Sequence, residues 1–380
     1  MIKKIFKWFF LTVFTLLLVV ILGGALFLNL SPEFGGEHLE DDLKRYELSS
    51  HFNKDESIFF NEIETSMDMS LSEGIAVMVE MMSGVDNAQP ATDIGVIKHS
   101  RSDINKLGEE TQFIWIGHST FLLKMNGENI ILDPMFGDVP APHNSLGNPR
   151  FTNGLPVEIK DLPKIDAVLI SHDHYDHLDY GTVLLLKSKT KKFYCPLGVG
   201  AHLRAWGVKE ESIVECDWWD EHTDSELKFV FTPSRHFSGR GLTDRFKTLW
   251  GSWVIQSNDK SLYFSGDGGY GPHFKAIGKE YGPFDLAWME CGQYNEKWGD
   301  IHMMPEESAQ AGKDLNAKVI QPIHWGCFVL ALHTWTDPVE RVLPKAEELG
   351  IEVITPKIGE VVRLNQLSDS KDNNWWEKYQ

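Results

Sequence analysis

Two mixed β-sheets packed face to face with helices outside, a four-layer α/β sandwich behind an N-terminal transmembrane helix, is the architecture this sequence predicts. Three features point to it. One is an uncharged apolar run near the N-terminus, another a series of thirteen strand-like segments from Gln112 onward, and the last a set of helical patterns between the later segments.

Trp8 to Leu30, "WFFLTVFTLLLVVILGGALFLNL", is 23 residues without a charge. At about 1.5 Å rise per residue such a run crosses a hydrocarbon core about 30 Å thick, so residues 1–30 read as a membrane anchor. Lys3, Lys4 and Lys7 precede it while Glu33, Glu37, Glu40, Asp41 and Asp42 follow. The positive-inside rule then places the N-terminus in the cytoplasm and the body on the opposite, periplasmic or extracytoplasmic side. A cleaved signal peptide is the competing reading, but the run exceeds the roughly 7–15 residues of a signal's apolar region and no clean A-x-A site follows.

Residues 31–110 are polar and partly helical, with apolar residues at mixed spacing in "SLSEGIAVMVEMMSG" and a turn-rich end, "DNAQPATDIG"; they read as a linker and helical lead-in. The body, residues 111–366, holds the strand-like runs: "QFIWIG", "STFLLKM", "NIILD", "AVLIS", "KFYCP", "SIVEC", "LKFVFTP", "GSWVIQS", "SLYFSGD", "DLAWME", "KVIQPIH", "EVITP" and "EVVRL". An Asn-Gly turn in "KMNGEN" makes the early part hairpin-like. Helical patterns follow in "LDYGTVLLLKSK", "GVGAHLRAWG", "PEESAQAGKDLN" and "DPVERVLPKAEELG". Residues 367–380 read as a polar C-terminal tail.

With 55 acidic against 36 basic residues the formal charge is −19, which repels a phosphate backbone and offers no basic stripe, so nucleic acid is excluded as a partner. The four cysteines, Cys195, Cys216, Cys291 and Cys327, form no C-x-x-C pair. In an exported body they allow up to two disulfides; unpaired core thiols are the alternative.

Chemistry concentrates after Val168, in "VLISHDHYDHLDYG". His172 and His174 are two apart at the end of an extended run, so both point the same way and can chelate one ion. Asp176 and His177 follow in a turn, where an adjacent ligand pair reaches a second ion. Burying so many ionisable groups without a cation would cost several kcal/mol per ion, roughly. His236 in "FTPSRHFSGRG", Asp267 in "LYFSGDGGYG" and His324 in "VIQPIHWG" each follow an apolar run and precede glycine, as suits a ligand held on a rigid strand end. The glycines of "SGDGGYGPHF" do not form a phosphate loop, because the Lys-Ser/Thr pair is missing.

This order, H-x-H-x-D-H, then His, then Asp, then His, after "GHST" and "LDP", resembles the metallo-β-lactamase-fold hydrolases. The segments "WIGHSTFLLKMNGENIILDPMF", "AVLISHDHYDHLD", "TPSRHFSGRG", "SGDGGYGPHF" and "PIHWGCFVLALHTWTDP" look like N-acyl-phosphatidylethanolamine-hydrolysing phospholipase D and its bacterial relatives, over about Gln112 to Leu364. The resemblance implies two Zn2+ ions, or another divalent transition metal in their place: His172, His174 and His236 on one, Asp176, His177 and His324 on the other, and Asp267 bridging. It implies a phosphodiesterase that cleaves an N-acyl-phosphatidylethanolamine-type phospholipid with metal-activated hydroxide, and a homodimer. Asp176 is the candidate to orient that hydroxide. His302 in "GDIHMMPEE" matches a family histidine near the substrate, where it would steer the phosphate or leaving group; capping the helix that "HMMPEES" opens is the alternative. His118 and Asp133 are expected to support the ligands from behind, with a plain Asp-Pro turn the alternative for Asp133. Asp173 stands where the animal enzymes have Asn, at a non-ligand position, and neither the anchor nor residues 31–110 belong to the animal pattern. Two other functions compete: the same dinuclear site hydrolysing a sugar-phosphate lactone or cyclic phosphodiester, and a non-catalytic membrane-associated metal-binding protein.

Overall fold

The computed structural model describes residues 2–66, 70–370 and 374–380. Met1 of the expected anchor, residues 67–69 of the lead-in and 371–373 of the C-terminal tail lie outside the described residues. Helix α1 (Ile2–Leu30) contains the apolar run, with none of its apolar window buried against the body. It is long and apolar enough to cross a membrane, a property that an anchor and a signal sequence share. The lead-in then forms α2 (Glu40–Tyr46), a ribbon of β1 (Phe52–Asn53) and β2 (Ile58–Phe59), α3 (Leu71–Ser83) and α4 (Arg101–Asn105). Ser70 and Glu73 close a capping box at the start of α3, each satisfying the other's backbone N–H.

The first large sheet comprises β3 (Gln112–Gly117), β4 (Thr120–Met125), β5 (Glu128–Leu132), β6 (Ile165–Leu169), β7 (Thr190–Pro196) and β8 (Ile213–Cys216). The second comprises β9 (Glu221–Asp224), β10 (Leu227–Thr232), β11 (Ser252–Gln256), β12 (Ser261–Phe264), β13 (Leu286–Glu290), β14 (Val319–Ile323) and β15 (Glu352–Val353). A last strand, β16 (Val361–Arg363), returns to the first sheet beside β3. Both sheets are mixed, with orders β16-β3-β4-β5-β6-β7-β8 and β15-β14-β13-β12-β11-β10-β9. The Asn-Gly turn is present: Asn126 and Gly127 both have positive φ, at 51° and 78°, and join β4 to β5 as a hairpin.

Alternation along the strands builds the layers. Phe113, Trp115, Phe121 and Leu123 point inward to meet Phe229, Phe231, Trp253 and Trp288 of the second sheet in the central core. Their neighbours Ile114, Ile116 and Leu122 point outward, under α5 (Tyr180–Leu186) and α6 (Val199–Ala205). On the far side, Val230, Val254 and Ala287 pack beneath α7 (His273–Tyr281), α8 (Pro305–Asp314) and α9 (Asp337–Leu349). The result is the metallo-β-lactamase fold of two mixed sheets between helical layers.

Two readings of the chain's flanks need correction. The lead-in is no free linker: Tyr46, Phe52 and Phe59 are buried in the central core, and Glu215 of β8 accepts hydrogen bonds from Arg45, Tyr46 and the backbone N–H groups of Gly198 and Gly200. Nor are residues 374–380 a polar tail, since Trp375 and Trp376 are buried against Trp325 and Trp335, and Tyr379 against Trp375. Burying three large aromatics, worth roughly 1.5–3 kcal/mol each, outweighs the polarity of the residues around them. All four cysteines are buried thiols.

Candidate metal centre

Strand ends from both sheets meet at one place. The turn after β6 carries His172, His174, Asp176 and His177; β10 leads to His236, β12 to Asp267, β14 to His324, and β3 and β5 to His118 and Asp133. The turns are tight, and several are left-handed: φ is 54° at His118, 39° at Asp133 and 68° at His324. Gly292 admits this crowding, because a Cβ there would lie 2.0 Å from the carbonyl oxygen of His324.

The seven predicted ligands converge. Nε2 of His172 and Nε2 of His236 lie 3.0 and 3.3 Å from Nδ1 of His174. Beside them, Oδ2 of Asp176 is 3.1 Å from Nε2 of His324 and 3.4 Å from Nε2 of His177. Asp267 stands between the two groups: its Oδ2 is 3.1 Å from Nε2 of both His177 and His324, 3.8 Å from that of His172 and 4.0 Å from that of His236. Two nests of nitrogen and carboxylate oxygen share one carboxylate, an arrangement consistent with a dinuclear metal site. Nε2 of His177 and Oδ1 of Asp267 are buried without a hydrogen-bond partner among the described residues, and a cation between them would satisfy both.

Groups behind these side chains fix which ring nitrogen faces inward. Nδ1 of His177 lies 2.6 Å from Asp133, whose carboxylate also accepts from the backbone N–H and hydroxyl of Ser171. Nδ1 of His236 donates to the carbonyl of Ile301 at 2.9 Å, and Nδ1 of His324 to that of Gly292 at 3.3 Å. The Nε2 atoms of these three are thereby aimed at the centre. His118 reaches Asp176 directly, at 2.9 Å, and Asp133 both opens a turn and contacts His177.

Burial drives His172, His174, His236 and His118 toward the neutral, coordinating form, His118 to about 3. His177 and His324 behave differently. Burial again lowers them, but Asp267 and Asp176 outweigh it and hold both well above the ordinary histidine range. Burial opposes ionisation of Asp176 and Asp267 too, yet the neighbouring histidines keep both carboxyls well below the usual range.

His302 sits at the rim, its ring 5.1 Å from that of His236 and 5.4 Å from that of His324. Nδ1 of His302 lies 2.7 Å from Oε1 of Glu290, a fully buried carboxylate at the end of β13 that also accepts from the Met303 N–H. Glu290 has a single signal in the sequence, a carboxylate that ends the apolar run "DLAWME". Asp173, between His172 and His174, accepts from Gly239 N–H and the Thr248 hydroxyl at 2.8 and 2.9 Å and so braces the turn from outside.

The chain leaving α1 is fastened to this turn. Arg240 donates to the carbonyls of Asp173 and Leu178 and also to that of Glu33, at 2.5, 2.8 and 2.7 Å, with its guanidinium 4.0 Å from the centre of the Tyr175 ring. Trp206 donates to the carbonyl of Pro32 at 2.7 Å, and Gly36 N–H donates to His202 at 3.0 Å. Phe34 stands edge-on to Tyr175, 6.5 Å between ring centres.

The family model described as "Beta-lactamase superfamily domain" matches residues 128–325. An uncharacterized protein of Mycobacterium tuberculosis is 41% identical over 306 residues, 79% of this chain and 80% of that protein. The N-acyl-phosphatidylethanolamine-hydrolyzing phospholipase D 1 of Caenorhabditis elegans is 29% identical over 264 residues, covering 65% of this chain and 74% of that one. Among solved structures, the isothiocyanate hydrolase from Delia radicum gut bacteria superposes with a TM-score of 0.53 at 23% identity, over 66% of this chain and 98% of that chain, and so shares the fold.

Proposed function

From the premise that the chain belongs to the metallo-β-lactamase superfamily and is a metal-dependent hydrolase, we propose that it is a zinc-dependent phosphodiesterase of the phospholipase D type. Its substrate is a phospholipid of the N-acyl-phosphatidylethanolamine class, and its products are an N-acylethanolamine and a phosphatidic acid. The observation that carries the reading is the position of Asp267, whose one oxygen faces the ring nitrogens of both histidine groups. The similarity to a nematode phospholipase D of that specificity supports the substrate class. So does the exit of a membrane-length helix beside the catalytic turn, which would raise the effective concentration of a lipid substrate. In this reading α1 is an anchor, with the body on the extracytoplasmic side.

His172, His174 and His236 would hold one ion, Asp176, His177 and His324 the other, and Asp267 both. Bound there, the pair supplies acidified water and charge neutralisation for a phosphoryl group. The remaining chemistry belongs to the chain. Asp176, 13% exposed at its side chain, faces His118 through Oδ2 and would orient the attacking water through its other oxygen. His302, held at Nδ1 by Glu290, would receive the phosphate or hand a proton to the departing alkoxide. Asp133, Ile301 and Gly292 hold the Nδ1 side of three imidazoles, so that Nε2 is the atom each would offer to a metal.

The test is hydrolysis of N-acyl-phosphatidylethanolamine in mixed vesicles by the full-length protein, before and after chelation and after zinc is restored. Phosphatidic acid should appear only when metal is present. Turnover confined to soluble cyclic phosphodiesters or sugar-phosphate lactones in the same panel would replace the lipid reading with the other ester.

A further inference from the structure

Helix α3 carries a face that the fold does not use. Val77 is its one buried residue, whereas Leu71, Ile75, Met78 and Met82 are 82, 50, 55 and 81% exposed. Their spacing of i, i+4, i+7 and i+11 aligns them along one side of the helix for about 16 Å. Glu73 and Glu80 occupy the opposite flank, where Glu80 meets Lys297 at 3.3 Å. A continuous stripe of large apolar side chains is the kind of surface that marks a docking face.

The stripe does not stand alone. Met81 and Met82 share a cleft of about 670 Å³ with Asn148 and Leu330. The loop that ends at Asn148 exposes Leu146 and brings the His143 ring within 6.5 Å of Phe27 in α1. Beyond the exit of α1, the exposed Leu242 shares a second cleft with Leu28 and Asn29. The end of the apolar helix thus continues into a face set with uncovered apolar residues, and α3 forms its far side.

We propose that this face is a second membrane contact, in which the α3 stripe lies in the interfacial layer of the bilayer that α1 enters. The occupant is a phospholipid surface, because α1 has the length and apolarity to be embedded in one and runs directly into this face. α3 has no Lys or Arg, and the chain's charge is −19, so the contact is hydrophobic and needs no anionic lipid. The proposal stands apart from the substrate reading, because it requires only that α1 be embedded.

The full-length protein in phosphatidylcholine vesicles tests it, with a nitroxide attached at Ile75→Cys or Met78→Cys on the stripe, or at Glu80→Cys on the flank. The four native cysteines are buried and leave the label to the new one. Oxygen should collide with the stripe labels several-fold more often, relative to a water-soluble nickel chelate, than with the flank label, and about 1 M salt should not change the ratio. Equal ratios on stripe and flank would overturn the proposal. Broadening from spin–spin coupling between molecules would assign the stripe to a second copy of the chain, and release of the protein from the vesicles would remove the bilayer as occupant; either result overturns it too.

Discussion

Asp133 grips His177 from behind: 2.6 Å separates its carboxylate from Nδ1 of the imidazole, whose Nε2 lies 3.1 Å from Asp267 on the other side. Asp133→Asn keeps the size of the side chain but cannot accept from His177 and from both donors of Ser171 together. Metal affinity is expected to fall about 10–100-fold, the usual effect of losing a partner that orients a ligand. Competition with a chromogenic chelator measures it, and unchanged affinity would deny Asp133 its supporting role.

Asp267→Asn should do more, because one carboxylate faces both nests. Metal content is expected to drop below two ions per chain, with kcat/KM down about 10³-fold, the several kcal/mol that metal-assisted displacement supplies. Elemental analysis beside the vesicle assay gives both numbers. Full metal content in the variant would show that Asp267 is no bridge.

In the metal-free protein, burial lowers His177 and His324, but Asp267 and Asp176 outweigh it and hold both rings well above the ordinary value of 6.5. They are therefore protonated at pH 7. A raised folded value means that this pairing stabilises the metal-free fold fully below the unfolded value and is lost as pH rises through the raised values. Metal must displace these protons. Loading at pH 7 should release about two per chain, so that affinity climbs about 100-fold per pH unit. Calorimetry in buffers of different ionisation enthalpy counts them, and zero release would contradict the assignment.

Glu215→Ala should loosen the lead-in. The carboxylate is buried against Arg45, Tyr46 and two backbone N–H groups, and removing one partner of a buried charged cluster costs about 3–5 kcal/mol. Thermal unfolding of the metal-loaded protein reads the loss. Retention of the wild-type Tm would mean that α2 adds nothing to the body.

Where local pattern and tertiary demand agree, the sequence was readable. Ile114 and Trp115 alternate between outer and inner layers as period two requires, and each of the thirteen strand-like runs contains a strand. β9, "EHTD", was missed because its conformation comes from pairing with β10 at the sheet's edge and not from any apolar pattern. Trp375 and Trp376 sit among polar residues, so nothing local shows that they complete an aromatic cluster around Trp325, the residue after His324. At the site, side chains on one turn were legible from spacing alone. The pairing of Glu290 with His302 joins a strand end to a distant loop, and only the fold creates it.

The hydrogen bonds at Pro32, Glu33 and Gly36 lie within one or two turns' length of the last residue of α1. Under the anchor reading of α1, an enzyme on a loose leash would sample a hemisphere of poses, whereas this chain has no free cord to pay out. Tilting α1 tilts the loop that bears His172 and His177 with it, so the angle at which the helix sits also sets the direction in which the candidate metal centre faces.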